Sequence, residues 1–356
     1  MSSSVDNSST IGSFFNGQNV IYAGIAWAVI SLLFFLLFGV TAPGEEKPFW
    51  YLFGTYVLEL PPFLLAAFLC YRNWRSPQIA SGTNVWLGIG LAMLCWLIGG
   101  LLFGWWELYF GLEPDVSPAD LFYICFYVFL SWGMVLAVIP RRLNLEVWQW
   151  LTVAAIAAMG IALAIWLAIA TPNASESLNI ATEPVATELS ESGNNQGQNS
   201  TSSTILVEQE STSTTMLTTS KEPLTKPVSL ETTHKQPPDW AVSLDEALHP
   251  LSEPLNFFLI IGDVFLLIIA SALLLAFWGG RFSQSWRMIA AATFSLYIGD
   301  MWFKYAEARA VEYESGGLLE VSFVFSGVLF AIGAALEYEV SSRSRRGSRR
   351  RTKELA

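Results

Sequence analysis

Apolar residues in this chain come in long, nearly unbroken runs, separated by short polar stretches and one long one. The runs fall at about 20–41, 49–71, 85–108, 118–139, 147–170, 255–278, 286–306 and 317–338. Each approaches the ~20 residues that a helix rising 1.5 Å per residue needs to cross a bilayer. The pattern predicts an all-α integral membrane protein with eight transmembrane helices. Two runs carry charge inside them, Asp263 in the sixth and Asp300 with Lys304 in the seventh. They still read as spans, because a membrane helix tolerates a charge that faces the bundle interior.

The runs also repeat. Ile98-Gly99-Gly100-Leu101-Leu102-Phe103-Gly104-Trp105-Trp106-Glu107-Leu108 lines up with Ile298-Gly299-Asp300-Met301-Trp302-Phe303-Lys304-Tyr305-Ala306-Glu307-Ala308, an offset of 200 residues. The same offset puts Asp120 on Glu320 and Gly133 on Gly333. A further shift of two puts Pro61-Pro62-Phe63-Leu64-Leu65 on Asp263-Val264-Phe265-Leu266-Leu267. The expected architecture is two parallel four-helix repeats, in which the first and fifth helices correspond by order alone. Repeat-built membrane proteins tend to place their sites at the repeat interface. The polar positions at which the halves differ are therefore the first candidates.

Composition agrees with the membrane class. The chain has 356 residues, 53% of them hydrophobic, with 15 Trp and 24 Phe. Its formal charge of −11 hides a segregation of sign. Residues 171–254 hold twelve acids against Lys221, Lys226 and Lys235, whereas residues 343–353 hold seven basic residues. Lys and Arg favour the cytoplasmic side. With the basic end inside, the inner loops hold Arg72 and Arg75, Arg141 and Arg142, and Arg281 and Arg287. Glu45, Glu46, Glu113, Asp115, Glu312 and Glu314 then lie outside. The expected order is a cytoplasmic tail 1–19 and a first membrane half 20–170. A disordered, acidic, Ser/Thr-rich extracytoplasmic linker 171–254 follows, since it is too polar to offset its ordering entropy. A second half 255–338, led in by helix 147–170, and a basic cytoplasmic tail 339–356 complete it. Within the linker, residues 240–248 have the composition of a short interfacial helix. The first run is too long, and its flank too poor in Lys and Arg, for a cleaved signal peptide.

Ionisable groups inside spans are costly and mark candidate sites. Here they crowd toward the outer half: Glu59, Glu107, Asp120, Asp263, Asp300, Lys304, Glu307 and Glu320. Asp300, Lys304 and Glu307 share a helix face by their spacing. Asp120 and Glu320 open helices, where the dipole favours a carboxylate. Pro61-Pro62 predicts a break in the second helix, whose freed carbonyls need partners. Three readings of this set stay open: polar groups that lock helices together, a ligand-binding cavity, and an ion or proton pathway. Trp105, Trp106, Tyr109, Phe110, Trp302 and Tyr305 fit an interfacial belt first and an aromatic cage for a cation second. Arg343, Arg345, Arg346, Arg349, Arg350 and Arg351 suit anionic lipid, at ~1 kcal/mol per basic residue near the surface. Nucleic acid is not an expected partner, because no folded cytoplasmic module accompanies this charge.

Several chemistries are set aside. The two histidines, His234 and His249, lie in the linker, so no embedded His-ligated metal, haem or Ser-His pair is available. Cys70, Cys95 and Cys125 sit within spans and form no disulfide framework. No cofactor and no catalytic residue is expected.

Ser117-Pro118-Ala119-Asp120-Leu121-Phe122-Tyr123, after an acidic outer loop, resembles a motif of bacterial multi-helix sensor modules. These are the membrane input domains that precede diguanylate cyclases and related signalling outputs. Ile261-Gly262-Asp263-Val264-Phe265-Leu266-Leu267 and Tyr297-Ile298-Gly299-Asp300-Met301-Trp302 follow the same order of acidic positions. The likeness covers about 49–170 and 255–338 and departs from the pattern in having no output domain after the last helix. It implies a non-catalytic sensory module in the inner membrane, with an outward-facing polar cavity and a separate signalling partner. A small transporter using Asp263, Asp300 and Lys304, or a scaffold for membrane-protein assembly, are the alternatives.

Overall fold

The structure is a computed structural model that describes residues 16–40, 47–111, 116–139, 146–170, 237–277, 283–308 and 315–354. Side chains are described throughout these except at 167–170, 307–308 and 344–354. Residues 1–172 and 235–356 form one compact unit. Residues 173–234 form a second unit, outside the described residues, and most of the linker expectation lies there.

Every described element is helical. The helices are α1 Gly17–Phe38, α2 Phe49–Trp74, α3 Thr83–Trp105, α4 Asp120–Val138, α5 Val147–Ala170, α6 Asp239–Leu248, α7 Ser252–Ala276, α8 Ser283–Ala308 and α9 Val321–Glu354. Short 3-10 turns, His249–Leu251 and Leu318–Glu320, lead into α7 and α9. Seven stretches are long and apolar enough to cross a membrane: α1, α2, α3 with the turn after it, α4, α5, α6–α7, and the first part of α9. The chain is thus a multi-pass, all-helical protein of the membrane type. Its outward faces agree, with Tyr22, Leu37, Met159 and Leu151 all more than 60% exposed. A water-soluble monomer rarely shows apolar surface on that scale.

Six helices close a ring in the order α2, α3, α4, α7, α8, α9 and back to α2. The peripheral helices take different seats. Helix α1 lies against α9 and α2, and α5 lies against α7 and α8. Four-plus-four equivalence therefore does not extend to α1 and α5.

Small residues set the helix spacing. A Cβ on Gly88 would stand 2.7 Å from the Cα of Gly133, so α3 and α4 touch backbone to backbone. On Gly133 a Cβ would meet the Val85 carbonyl at 3.0 Å and Ile89, and on Gly333 it would meet the Ser285 carbonyl at 3.2 Å and Ile289. Trp86 and Trp286 are both fully buried, with ring centroids 6.3 Å apart. Near them Ser81 donates to Glu337 at 2.7 Å, and the Trp86 indole donates to Ser81 at 2.8 Å. The Asn73 amide donates to the Ala334 carbonyl at 2.8 Å, and Gln78 donates to Ser342 at 2.8 Å. At this end of the ring, hydrogen bonds tie α9 to the end of α2 and to the α2–α3 connection.

Three expectations change. Helix α2 runs through Pro61 and Pro62 without a break. Pro62 deprives the Leu58 carbonyl of its helical donor, and the Trp27 indole on α1 supplies one at 2.8 Å. Helix α7 begins at Ser252 rather than 255, and the short helix expected at 240–248 is present as Asp239–Leu248. Ala241 is fully buried, and Trp240 packs on Trp106 and Phe110 at 5.8 and 5.4 Å. That aromatic contact supplies the apolar burial that the linker composition as a whole lacks. Finally, α9 continues as helix to Glu354 instead of ending near 338. Arg and Lys are good helix formers, and the Glu339–Arg343 pair supports the extension one turn past the expected end.

Candidate functional site

Asp263 is 1% exposed and Lys304 9% exposed. Two facts of packing put them there. Gly262 lets α4 approach α7 so closely that a Cβ would lie 2.6 Å from the Tyr127 ring. The neighbouring Asp263 then meets the Tyr127 hydroxyl, which donates to its Oδ1 at 2.5 Å. Asp300, on α8, brings Oδ2 to 3.0 Å from the same hydroxyl. Lys304, one turn along α8, reaches back to Asp263, Nζ to Oδ2, at 3.7 Å. Four groups from three helices thus make one buried cluster. With every group ionised it holds two carboxylates and one ammonium, an excess of one negative charge. A single phenolic proton is shared by two carboxylates.

A second acidic region adjoins it. Glu59, on α2, accepts from the Trp96 indole at 3.0 Å. The Tyr56 hydroxyl, one turn earlier on α2, donates to Glu107 Oε2. Glu107 sits in a π-helical turn, Trp106–Phe110, that ends α3 on Gly111 in the left-handed region, φ 64°. Such turns insert a residue and re-aim the side chains after it, and here Glu107 is turned inward to 6% exposure. Its Oε1 is buried and accepts no hydrogen bond among the described residues. A buried acceptor left open carries a desolvation penalty of ~1–3 kcal/mol, more when charged.

Tyr123 joins the two regions. Its phenol lies within charge range of Glu59, Glu107, Asp120 and Asp300, and Glu59 is likewise close to Asp300 and Glu320. Glu59, Tyr123 and Asp300 are enclosed by protein yet each keeps exposed surface. Among the described residues, Lys304 lies within charge range of Asp120, Asp263 and Asp300.

Asp120 and Glu320 also have a local task. The Ser117 N–H donates to Asp120 Oδ2 at 2.7 Å while the Ser117 hydroxyl accepts from the Ala119 N–H at 3.2 Å. That is a reciprocal N-terminal cap. Glu320 accepts from the N–H groups of Gly316 and Gly317 at 2.8 and 2.9 Å. The Ser117-to-Asp120 motif therefore has a structural duty at the start of α4.

Of the residues singled out from the sequence, Asp263, Asp300 and Lys304 come together in one cluster. Glu59, Glu107 and Asp120 lie in the adjoining acidic region around Tyr123. The side chain of Glu307 lies outside the described residues, as do those of Arg345, Arg346, Arg349, Arg350 and Arg351. Arg343 pairs with Glu339 on its own helix. Sequence reasoning missed Tyr56, Trp96, Tyr123 and Tyr127, because aromatics in aromatic-rich spans look like packing. One signal could have found Tyr127: the 200-residue offset sets it against Gly327. No family model, curated protein or solved structure matches the chain.

Proposed function

We propose that this chain is a non-catalytic sensory module of the membrane, which binds a ligand from outside in the polar space between two related halves. On this reading α8 is an eighth span. Asp300 and Lys304 lower its hydropathy, and their place in the buried cluster supports its spanning. Both termini and the Arg-bearing loops face the cytoplasm, and residues 171–236 face outward. The reading agrees with the resemblance of Ser117–Tyr123 and of the Asp263 and Asp300 segments to sensor input domains. Lipid surrounds the ring, and the basic end of α9 meets anionic headgroups.

The relation between halves is supported by paired packing. Gly99 abuts Tyr123 as Gly299 abuts Phe323, and Gly133 abuts Val85 and Ile89 as Gly333 abuts Ser285 and Ile289. Gly327 abuts Pro62, and Tyr127 abuts Gly262. All these pairs keep an offset of 200, so α2 and α7 need no two-residue shift, and Asp263 corresponds to Phe63.

The observation that carries the functional reading is the set of enclosed carboxyls, Glu59 and Asp300 above all, that keep some exposed surface. The opposite end is tied by Ser81–Glu337 and Asn73–Ala334, which supports access from one side only. The test is thiol labelling of Glu59→Cys with Cys95 and Cys125 replaced by Ala. Cys70 stays, because it is fully buried. A cationic methanethiosulfonate should label residue 59 in right-side-out vesicles and not in inverted ones. Labelling from both sides indicates alternating access and the transporter alternative. Labelling from neither leaves a scaffold without a cleft.

A further inference from the structure

We propose that the internal space binds an organic ammonium ion, with its charge between Glu59, Glu107 and Asp300 and its carbon groups against Tyr56 and Tyr123. This rests on the cleft reading above and adds the ligand class. Carboxylates alone would not support it, since Asp120 and Glu320 cap helices and Asp263 is held by Lys304 and Tyr127. The remaining three carry the argument. Glu107 is more than nine-tenths buried, accepts from the Tyr56 hydroxyl, and holds Oε1 without a donor among the described residues. Buried acceptors in native proteins are nearly always satisfied, so an open one beside an internal space calls for a donor from outside the chain. Glu59 has one indole N–H, and Asp300 shares one hydroxyl with Asp263. No ammonium or guanidinium among the described residues forms an ion pair with these three.

The walls choose between kinds of cation. A metal ion of the alkali or alkaline-earth type wants a shell of oxygen ligands. Here the carboxyls are spread around aromatic rings. The Tyr56 ring lies against Gly104 and the Tyr123 ring against Gly99, each so close that a Cβ would stand 3.0 and 2.9 Å away. Trp96 is surrounded by Phe63, Tyr123, Phe126 and Phe323 at 4.9–5.4 Å, which fixes the indole that serves Glu59. Aromatic faces beside anions suit an alkylated ammonium, whose charge is diffuse and whose methyl groups are apolar.

The test uses the full chain in nanodiscs, from a preparation whose Glu59→Cys counterpart labels from outside. Thermal stability is measured against tetramethylammonium, choline and butylammonium chlorides. Sodium chloride at equal ionic strength and 3,3-dimethylbutan-1-ol, the neutral isostere of choline, are the controls. A ligand that binds only the folded state raises the melting temperature saturably. At least one ammonium should do so, and both controls should not. Glu107→Gln should weaken that binding at least tenfold, and Glu59→Gln serves if Glu107→Gln does not fold. Equal stabilisation by sodium or by the neutral alcohol, no saturable effect of any ammonium, or unchanged affinity in the Gln variant would overturn the proposal. A protein that labels but binds no ammonium loses the ligand class and keeps the cleft. One that fails to label loses the cleft itself.

Discussion

Two corners of the ring sit 200 residues apart and are built in opposite ways. At the corner of α2, α3 and α9 stand Phe63, Gly100, Gly104 and Gly327. At the corner of α7, α8 and α4 stand Asp263, Asp300, Lys304 and Tyr127. In the first corner the glycines admit neighbouring side chains. A Cβ on Gly100 would lie 2.6 Å from Leu60, on Gly104 3.0 Å from Tyr56, and on Gly327 2.9 Å from Pro62. Phe63 fills the remaining volume and stacks on Trp96 at 5.2 Å. In the second corner the same positions carry two acids, a base and a phenol, joined to each other. If the two halves are related as proposed, one backbone arrangement is held by close contact at the first corner and by charge at the second. Close packing leaves the four positions of the first corner without a titratable group, whereas all four of the second carry one.

The sharpest way to break the comparison is to carry charge into the packed corner. Phe63→Asp would bury a carboxylate where no Lys or Tyr hydroxyl meets it, because the counterparts of Lys304 and Tyr127 there are Gly104 and Gly327. An unpaired buried ion carries a penalty of several kcal/mol. The expected outcome is loss of folded protein, read as the monodisperse yield in detergent. A variant that folds with an unchanged melting temperature would show that this corner is wet and the contrast unreal.

Removing charge from the second corner comes next. Lys304→Met leaves Asp263 without its cation, and breaking a buried pair from one side costs ~3–5 kcal/mol. Asp263→Asn with Lys304→Met removes both charges and should recover most of that loss. Single effects near zero that simply add in the double variant would mean that the two groups are separately hydrated. Tyr127→Phe is milder. It deletes the one proton shared by Asp263 and Asp300 without creating a cavity, and hydrogen bonds to charged groups contribute ~1.5–3 kcal/mol. Gly327→Ala tests the same position from the packed side, at ~1–3 kcal/mol of overpacking against Pro62 and Phe63. Urea or thermal unfolding of the two variants side by side measures one position held in two ways.

Much of the ring could be read from apolar runs, because run length is set by the bilayer and survives any detail of packing. Asp263, Asp300 and Lys304 were legible for the same reason: charge in a span has few explanations. The partners were not. Spacing on α8 suggests Lys304 with Asp300, whereas the cation reaches across to Asp263, since the Gly262 contact brings α4 and α7 together there. The inward turn of Glu107 depends on a π-helical insertion that no spacing rule at 3.6 residues per turn foresees. Pro61-Pro62 misled in the other direction. It reads as a break, and one indole from α1 was enough to keep the helix whole.

The smallest effect separates capping from binding at the two helix entries. Asp120 accepts from the Ser117 N–H, and Glu320 accepts from the Gly316 and Gly317 N–H groups, again at matching positions. Replacing a capping acid costs ~0.5–2 kcal/mol. Asp120→Asn and Glu320→Gln should each lower the melting temperature modestly. Gly316, at φ +89°, should tolerate Ala less well than Ser117 does, because a side chain there is strained whatever room it has. The discriminating measurement is ammonium affinity in the same variants. If the two acids serve the chain ends, affinity stays within about threefold of the parent while stability falls, converting to less than ~1 kcal/mol of binding. A tenfold loss of affinity in Asp120→Asn at unchanged stability would move Asp120 from the helix cap into the binding site. The boundary drawn here between the three open carboxylates and the rest would then be wrong.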